Sequence, residues 1–158
     1  MTFKNEAQLK RFLSDKCAKA VNNAKEKVHE EFAGNLNQFY TEFIPEEYIR
    51  TGALFNSLEV TGVNRTGNQH MNRAEAEVYF TTPHYDQGVM PLQHTPEHGM
   101  YGRASATGEE VLDTALTGRK PHGDYAHGTA IWNESMRSLG GNRGITNLLK
   151  QELKKQGV

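Results

Sequence analysis

Tyr48-Ile49-Arg50-Thr51-Gly52-Ala53-Leu54-Phe55-Asn56-Ser57-Leu58-Glu59-Val60 is the stretch at which this chain changes character. Upstream, apolar residues recur at helical steps; downstream, they alternate as in strands. Pro45 cannot continue a helix and biases Ile44 away from helical dihedrals, so the preceding helix is expected to stop near Phe43. Gly52 permits a tight reversal, after which Leu58, Val60 and Val63 begin a half-buried strand.

Working backward, Leu9, Phe12, Leu13, Cys17, Ala20, Val21, Ala24, Val28 and Phe32 form one apolar stripe, which Leu36, Phe39 and Phe43 extend. The helix implied, Asn5 to Phe43, would be about 58 Å long at 1.5 Å per residue. That is several times the radius of gyration of a small domain, roughly 13 Å for 100 residues. A rod of this length must protrude, pack on neighbours or break. A bend or interruption is expected at Gly34-Asn35, because glycine costs about 1 kcal/mol in a helix interior.

Working forward, Ser57–Arg65 and Arg73–Thr82 form an expected antiparallel hairpin. Ala74, Ala76, Val78 and Phe80 alternate with Glu75, Glu77 and Tyr79, the period of a sheet with one wet face. Residues 83–106 hold three prolines and three glycines with no period; segments of this length are usually functional or disordered. Tyr85, Met90, Leu92, Met100 and Tyr101 make it adherent enough to read as a partner-binding loop. Thr107-Gly108-Glu109-Glu110 has the form of a capping box. It opens a short helix with Val111, Leu112, Ala115 and Leu116 inward and Gly118 after its end. Ile131, Trp132, Met136 and Leu139 fit another, ended by Gly140-Gly141, and Ile145, Leu148, Leu149 and Leu153 mark an amphipathic tail. The fold class expected is α+β: a long amino-terminal helix on a small antiparallel sheet, a long loop and short carboxy-terminal helices. The chain is read as one domain, 1–158, divided into a helical arm (1–43), corner and hairpin (44–82), loop (83–106) and short helices (107–158).

Charge is balanced overall, at −1 over 158 residues, which gives no global argument for nucleic-acid or membrane binding. Its distribution is uneven: Met1–Lys27 holds seven basic and three acidic residues, Val28–Val60 one and six, and the stretch from Arg137 to the end five and one. Opposite signs at different places suit head-to-tail contact between copies. A single cysteine, Cys17, excludes an internal disulfide, and its place on the apolar stripe suggests a small buried residue rather than a nucleophile. No signal-like start and no apolar run of membrane-spanning length is present, so a cytoplasmic place of synthesis and assembly is expected.

Reactive constellations are weak. His84, His94, His98, His122 and His127 lie within 44 residues, with Asp86, Glu97 and Asp124 among them. The residue types suit zinc, but Thr95-Pro96 disfavours a continuous helix that would put His94 and His98 on one face. His122 and His127 sit among glycines with no rigid support. A small metal-dependent hydrolase is therefore the rival reading, not the leading one, and a helical adaptor for one partner is a third. Gly140-Gly141-Asn142-Arg143-Gly144 follows a helix and lacks the lysine-serine/threonine pair of a phosphate loop. Arg50 and Thr51 fit the hydrogen bonding of a turn better than a phosphate site. Trp132 fits a core anchor better than a ligand-stacking ring. No catalytic residue and no cofactor is expected.

The pattern Tyr48-x-Arg50-Thr51-Gly52-x-Leu54-x-x-Ser57, directly after a long helix, resembles the tail-completion (neck) proteins of long-tailed bacteriophages. The run Gly128-Thr129-Ala130-Ile131-Trp132-Asn133-Glu134-Ser135-Met136 is similar to the carboxy-terminal part of the same family in phages of low-GC Gram-positive hosts. The resemblance implies a structural, non-enzymatic protein of the virion neck or tail, assembled in the host cytoplasm. It implies copies in a ring, hexameric by expectation, that complete the tail tube and join it to the head connector. Its partners would be other neck and tail proteins, with genome DNA passing through the lumen without sequence-specific contact and no membrane involved. It also implies that Tyr48, Arg50, Thr51, Gly52, Leu54 and Ser57 hold the corner. Tyr85, Met90, Leu92, Met100, Tyr101 and Trp132 are the candidate interface residues.

Overall fold

The computed structural model describes residues 2–42, 53–67, 72–82, 108–117 and 130–158. In chain order these form helix α1 (Glu6–Glu42), a 3-10 turn (Phe55–Ser57), strands β1 (Leu58–Val60), β2 (Asn64–Gly67), β3 (Asn72–Glu75) and β4 (Val78–Phe80), and helices α2 (Gly108–Thr117), α3 (Ile131–Ser138) and α4 (Gly141–Lys155). The arrangement is α+β, with the long helix at the amino terminus and the short ones at the carboxy end.

α1 begins with reciprocal caps. Asn5 Oδ1 accepts the Gln8 N–H at 2.9 Å, and Gln8 Oε1 accepts the Lys4 N–H at 3.0 Å, satisfying donors that the first turn leaves open. The helix then runs 37 residues, about 55 Å, and passes through Gly34 without interruption. The interruption expected there does not occur. Phe32 and Leu36, two residues either side of the glycine, are both buried, and the Asn35 side chain donates to Ser135 Oγ at 3.0 Å. These tertiary anchors outweigh a penalty of about 1 kcal/mol.

The expected hairpin exists, but a bulge divides it. β2 pairs antiparallel with β3, with Asn64 opposite Glu75 and Gly67 opposite Asn72. β1 pairs separately with β4. Between them, the Thr61 N–H donates to the Glu77 carbonyl at 2.9 Å, and the Glu77 N–H donates to Thr61 Oγ1 at 2.8 Å. Gly62 and Val63 thus face Ala76 alone, one extra residue on the first strand. Leu58 and Val63 are half-buried, whereas Val60, at the end of β1 ahead of the bulge, is exposed, against the expectation of a half-buried residue.

The chain groups into two compact units. The first comprises Met1–Glu31, Val60–Tyr79 and Ser138–Val158. In it, α1 is held on two sides. Arg65 Nη1 meets Asp15 Oδ1 at 2.5 Å, and Lys25 Nζ donates to the Thr61 carbonyl at 3.3 Å, so the hairpin lies along one side. Asn23 and Lys27, well round the helix from Asp15 and Lys25 at 100° per residue, hold α4. This explains why Ala18 and Ala20 are both buried although they point in nearly opposite directions. Cys17, just before Ala18 in sequence, is only half-buried, against the expectation of a buried residue.

The second unit comprises Phe32–Glu59 and Phe80–Arg137. Its described core is Phe32, Leu36, Leu54, Ala115 and Ile131. The Phe32 ring lies 5.9 Å from Phe80 and 5.3 Å from Trp132, centroid to centroid. Both contacts are tilted or edge-on, the favoured geometries for aromatic pairs. α2 begins at Gly108, where the capping box places it, and ends at Thr117, before Gly118.

Candidate functional site

The corner that organises the sequence is described from Ala53 onward. Leu54 and Ser57 are both buried. Ser57 Oγ donates to the Leu54 carbonyl at 2.6 Å, closing the 3-10 turn, and the Ser57 N–H donates to the same oxygen at 3.1 Å. The Ser57 carbonyl in turn accepts the Thr81 N–H at 2.8 Å and its hydroxyl at 3.2 Å, which ties the start of β1 to the end of β4. Phe55, the first residue of this turn, is tied to α1: its N–H donates to the Tyr40 hydroxyl oxygen at 3.2 Å, and the two rings meet edge-on at 6.0 Å. Tyr48, Arg50, Thr51 and Gly52 lie outside the described residues. So do Tyr85, Met90, Leu92, Met100 and Tyr101, and all of His84, His94, His98, His122 and His127.

Trp132 is placed otherwise than a core anchor. It is 45% exposed, one face resting on Phe32, whereas its neighbour Ile131 is fully buried and takes the core position. On a helix, adjacent residues are 100° apart, so one of the pair must turn outward. Ser135, one turn after Ile131, is also fully buried, where the Asn35 amide satisfies its hydroxyl.

Among the described residues, the buried carboxylate with the most donors was not singled out by sequence. Glu152 is 2% exposed on the inner face of α4. Its carboxylate accepts from Lys155 Nζ at 2.7 Å, Lys27 Nζ at 2.8 Å and Asn23 Nδ2 at 3.2 Å. Hydrogen bonds from Lys155, then Lys27 and Asn23, hold the carboxyl at about 2, well below the ordinary carboxylate value. The Lys27 ammonium is correspondingly raised, chiefly by its hydrogen bond to Glu152. A signal was present: Glu152 follows Leu148 by four residues and Leu149 by three, so it falls on the apolar stripe of α4. With its acceptors taken by three donors, this carboxylate is built to clasp two helices rather than to move protons.

Among the described residues, no three His, Cys, Asp or Glu side chains come together as metal ligands. A groove of about 320 Å³ is lined by Lys10, Arg11, Ser14, Asp15 and Arg65. It is open and polar, and two of its cations are engaged, Arg65 by Asp15 and Lys10 by Glu6 at 2.7 Å. It lacks the apolar, enclosing walls of a small-molecule site.

Apolar surface is the more telling feature. Leu9 and Leu13, at adjacent turns of α1, are 38% and 37% exposed, and Phe55, Val60 and Tyr79 also face outward. No helix among the described residues is long and apolar enough to cross a membrane. Comparison with protein-family models, characterised proteins and solved structures yields no match.

Proposed function

We propose that this chain is a structural subunit of the neck or tail of a long-tailed bacteriophage. It completes the tail tube and joins it to the head connector as one copy of a ring. The observation that carries the reading is α1 itself, a 37-residue helix whose apolar stripe continues past its own cover to exposed Leu9 and Leu13. Such a helix presents to other chains what its own chain leaves uncovered. The motif around Leu54 and Ser57 supports the same reading through its resemblance to tail-completion proteins. In this proposal the ring is hexameric, its neighbours are other neck and tail proteins, and the genome passes through its lumen without base-specific contact.

The test is direct. Mass spectrometry of purified particles from the phage or lysogen encoding the chain is expected to find several copies per particle, and gold-labelled antibody to mark the head–tail junction. Particles of normal morphology from which the chain is absent overturn the proposal.

A further inference from the structure

The two units carry opposite charge. Residues 1–31, 60–79 and 138–158 hold thirteen basic and eight acidic side chains, a net of +5. Residues 32–59 and 80–137 hold five basic and eleven acidic, a net of −6. The overall charge of −1 conceals this partition.

Each unit also exposes apolar side chains. On the basic unit these include Leu9 and Leu13, four residues apart and therefore stacked on one helix face. They continue the stripe of Ala20 and Ala24, beyond the point at which Asn23 and Lys27 clasp α4. Lys10 and Lys16 fall on the same side of the helix, each within about 60° of one of the leucines. On the acidic unit the exposed rings are Trp132 and Phe55, 45% and 42% exposed.

We infer that the amino-terminal part of α1 docks through Leu9 and Leu13 on the acidic unit of a second copy, at the surface that presents Trp132. The inference rests on the ring-subunit reading and names the contact that would build the ring. Charge complementarity selects a second copy as the occupant: each chain carries both the net-basic unit with its exposed leucines and the net-acidic unit with its exposed rings. Leucines at i and i+4 are the anchors used when an amphipathic helix lies on an apolar surface, and opposite potentials guide the approach. Because the two surfaces differ, the contact is heterologous. Each added copy leaves one surface of each kind unused, and the chain of contacts either closes or extends.

Sedimentation velocity of the full chain tests this. Concentration-dependent association is expected at 25 mM salt and loss of it at 500 mM, where screening is several-fold shorter in range. Leu9→Glu/Leu13→Glu and Trp132→Ala are each expected to weaken self-association at least about tenfold, as removal of an interface anchor does. Lys10→Glu/Lys16→Glu, which leaves the leucines in place, is expected to do the same at low salt. Circular dichroism establishes that each variant is folded. Mixing the leucine variant with the tryptophan variant is expected to give a one-to-one heterodimer and nothing larger, since each retains the surface the other lacks. A folded chain that stays monomeric at 25 mM salt and high concentration overturns the inference, as does a mixture that forms no heterodimer. In either case, copies found in particles leave the neck-subunit reading standing, whereas salt-sensitive association of a chain missing from particles has the opposite meaning.

Discussion

Lys27 Nζ lies 2.8 Å from Glu152 Oε1, joining α1 to α4 across 125 residues of sequence. The carboxylate is buried, so the pair must be judged by what its loss leaves behind. Removing Lys27 leaves the buried carboxylate to Lys155 and Asn23 alone, with less compensation for its charge, whereas replacing both partners with apolar groups is often tolerated.

Lys27→Met is therefore expected to lower the melting temperature. A Lys27→Met/Glu152→Leu double variant should recover part of the loss. Differential scanning calorimetry of the single and double variants at pH 7 checks the order.

Glu152 also sets an acid limit. Its carboxyl is at about 2 in the folded chain, against 4.5 ordinarily, so the folded state holds its proton less tightly than the unfolded one. The stabilisation is complete above 4.5 and is lost as pH falls towards 2. Glu152→Gln is expected to melt below the parent at pH 7, with the gap closing as pH falls from 4.5 to 2. Thermal melts followed by circular dichroism across that range read the convergence. A gap that is constant with pH contradicts this assignment.

The turn between α3 and α4 depends on glycine at three positions, for two different reasons. Gly140 and Gly141 have φ +74° and +63°, a left-handed conformation costing an L-residue about 1–2 kcal/mol. Gly144 has no such dihedral, but a Cβ there would collide with the Leu139 carbonyl. Backbone cannot swing aside as a side chain can, so Gly144→Ala is expected to be worse than Gly140→Ala. Urea titration of both variants gives the ranking.

Gly34 offers the opposite case. It is exposed in the middle of α1, and a Cβ there meets nothing within 4 Å. Gly34→Ala is expected to stabilise by about 0.5–1 kcal/mol, because alanine gives up less backbone freedom on folding. A loss of stability in chemical denaturation would show that the helix requires flexibility at this point.

Phe32 bridges Phe80 and Trp132 in the second unit. Phe32→Ala is expected to cost about 3–5 kcal/mol, as truncation of a buried aromatic does. Trp132 is the only tryptophan, so its fluorescence reports the site without interference. Emission should shift to the red as the ring loses its backing.

Much of the fold was legible because it follows from local periodicity. Leu9 to Phe32 at helical steps, Ala74 to Phe80 at alternating steps, and Gly140-Gly141 between two amphipathic stretches each act within a few residues. The places where expectation and structure differ all involve long-range partners. Gly34 remains helical because of Ser135, a hundred residues away, and Trp132 turns outward because Ile131 takes the core position. Glu152 is drawn into the interior by Lys27. Of the candidate interface residues, Trp132 is the one the structure describes, and Leu9, Leu13 and Phe55 join it through exposure, which composition does not reveal.

The sequence by itself determined the class of each element and most of its boundaries, since hydrogen-bonded turns, caps and glycine dihedrals are decided by near neighbours. Only the tertiary structure decided which side of each element is covered. Burial depends on what the rest of the chain brings alongside, as the hairpin and α4 together do for Ala18 and Ala20, and no spacing within α1 contains that information.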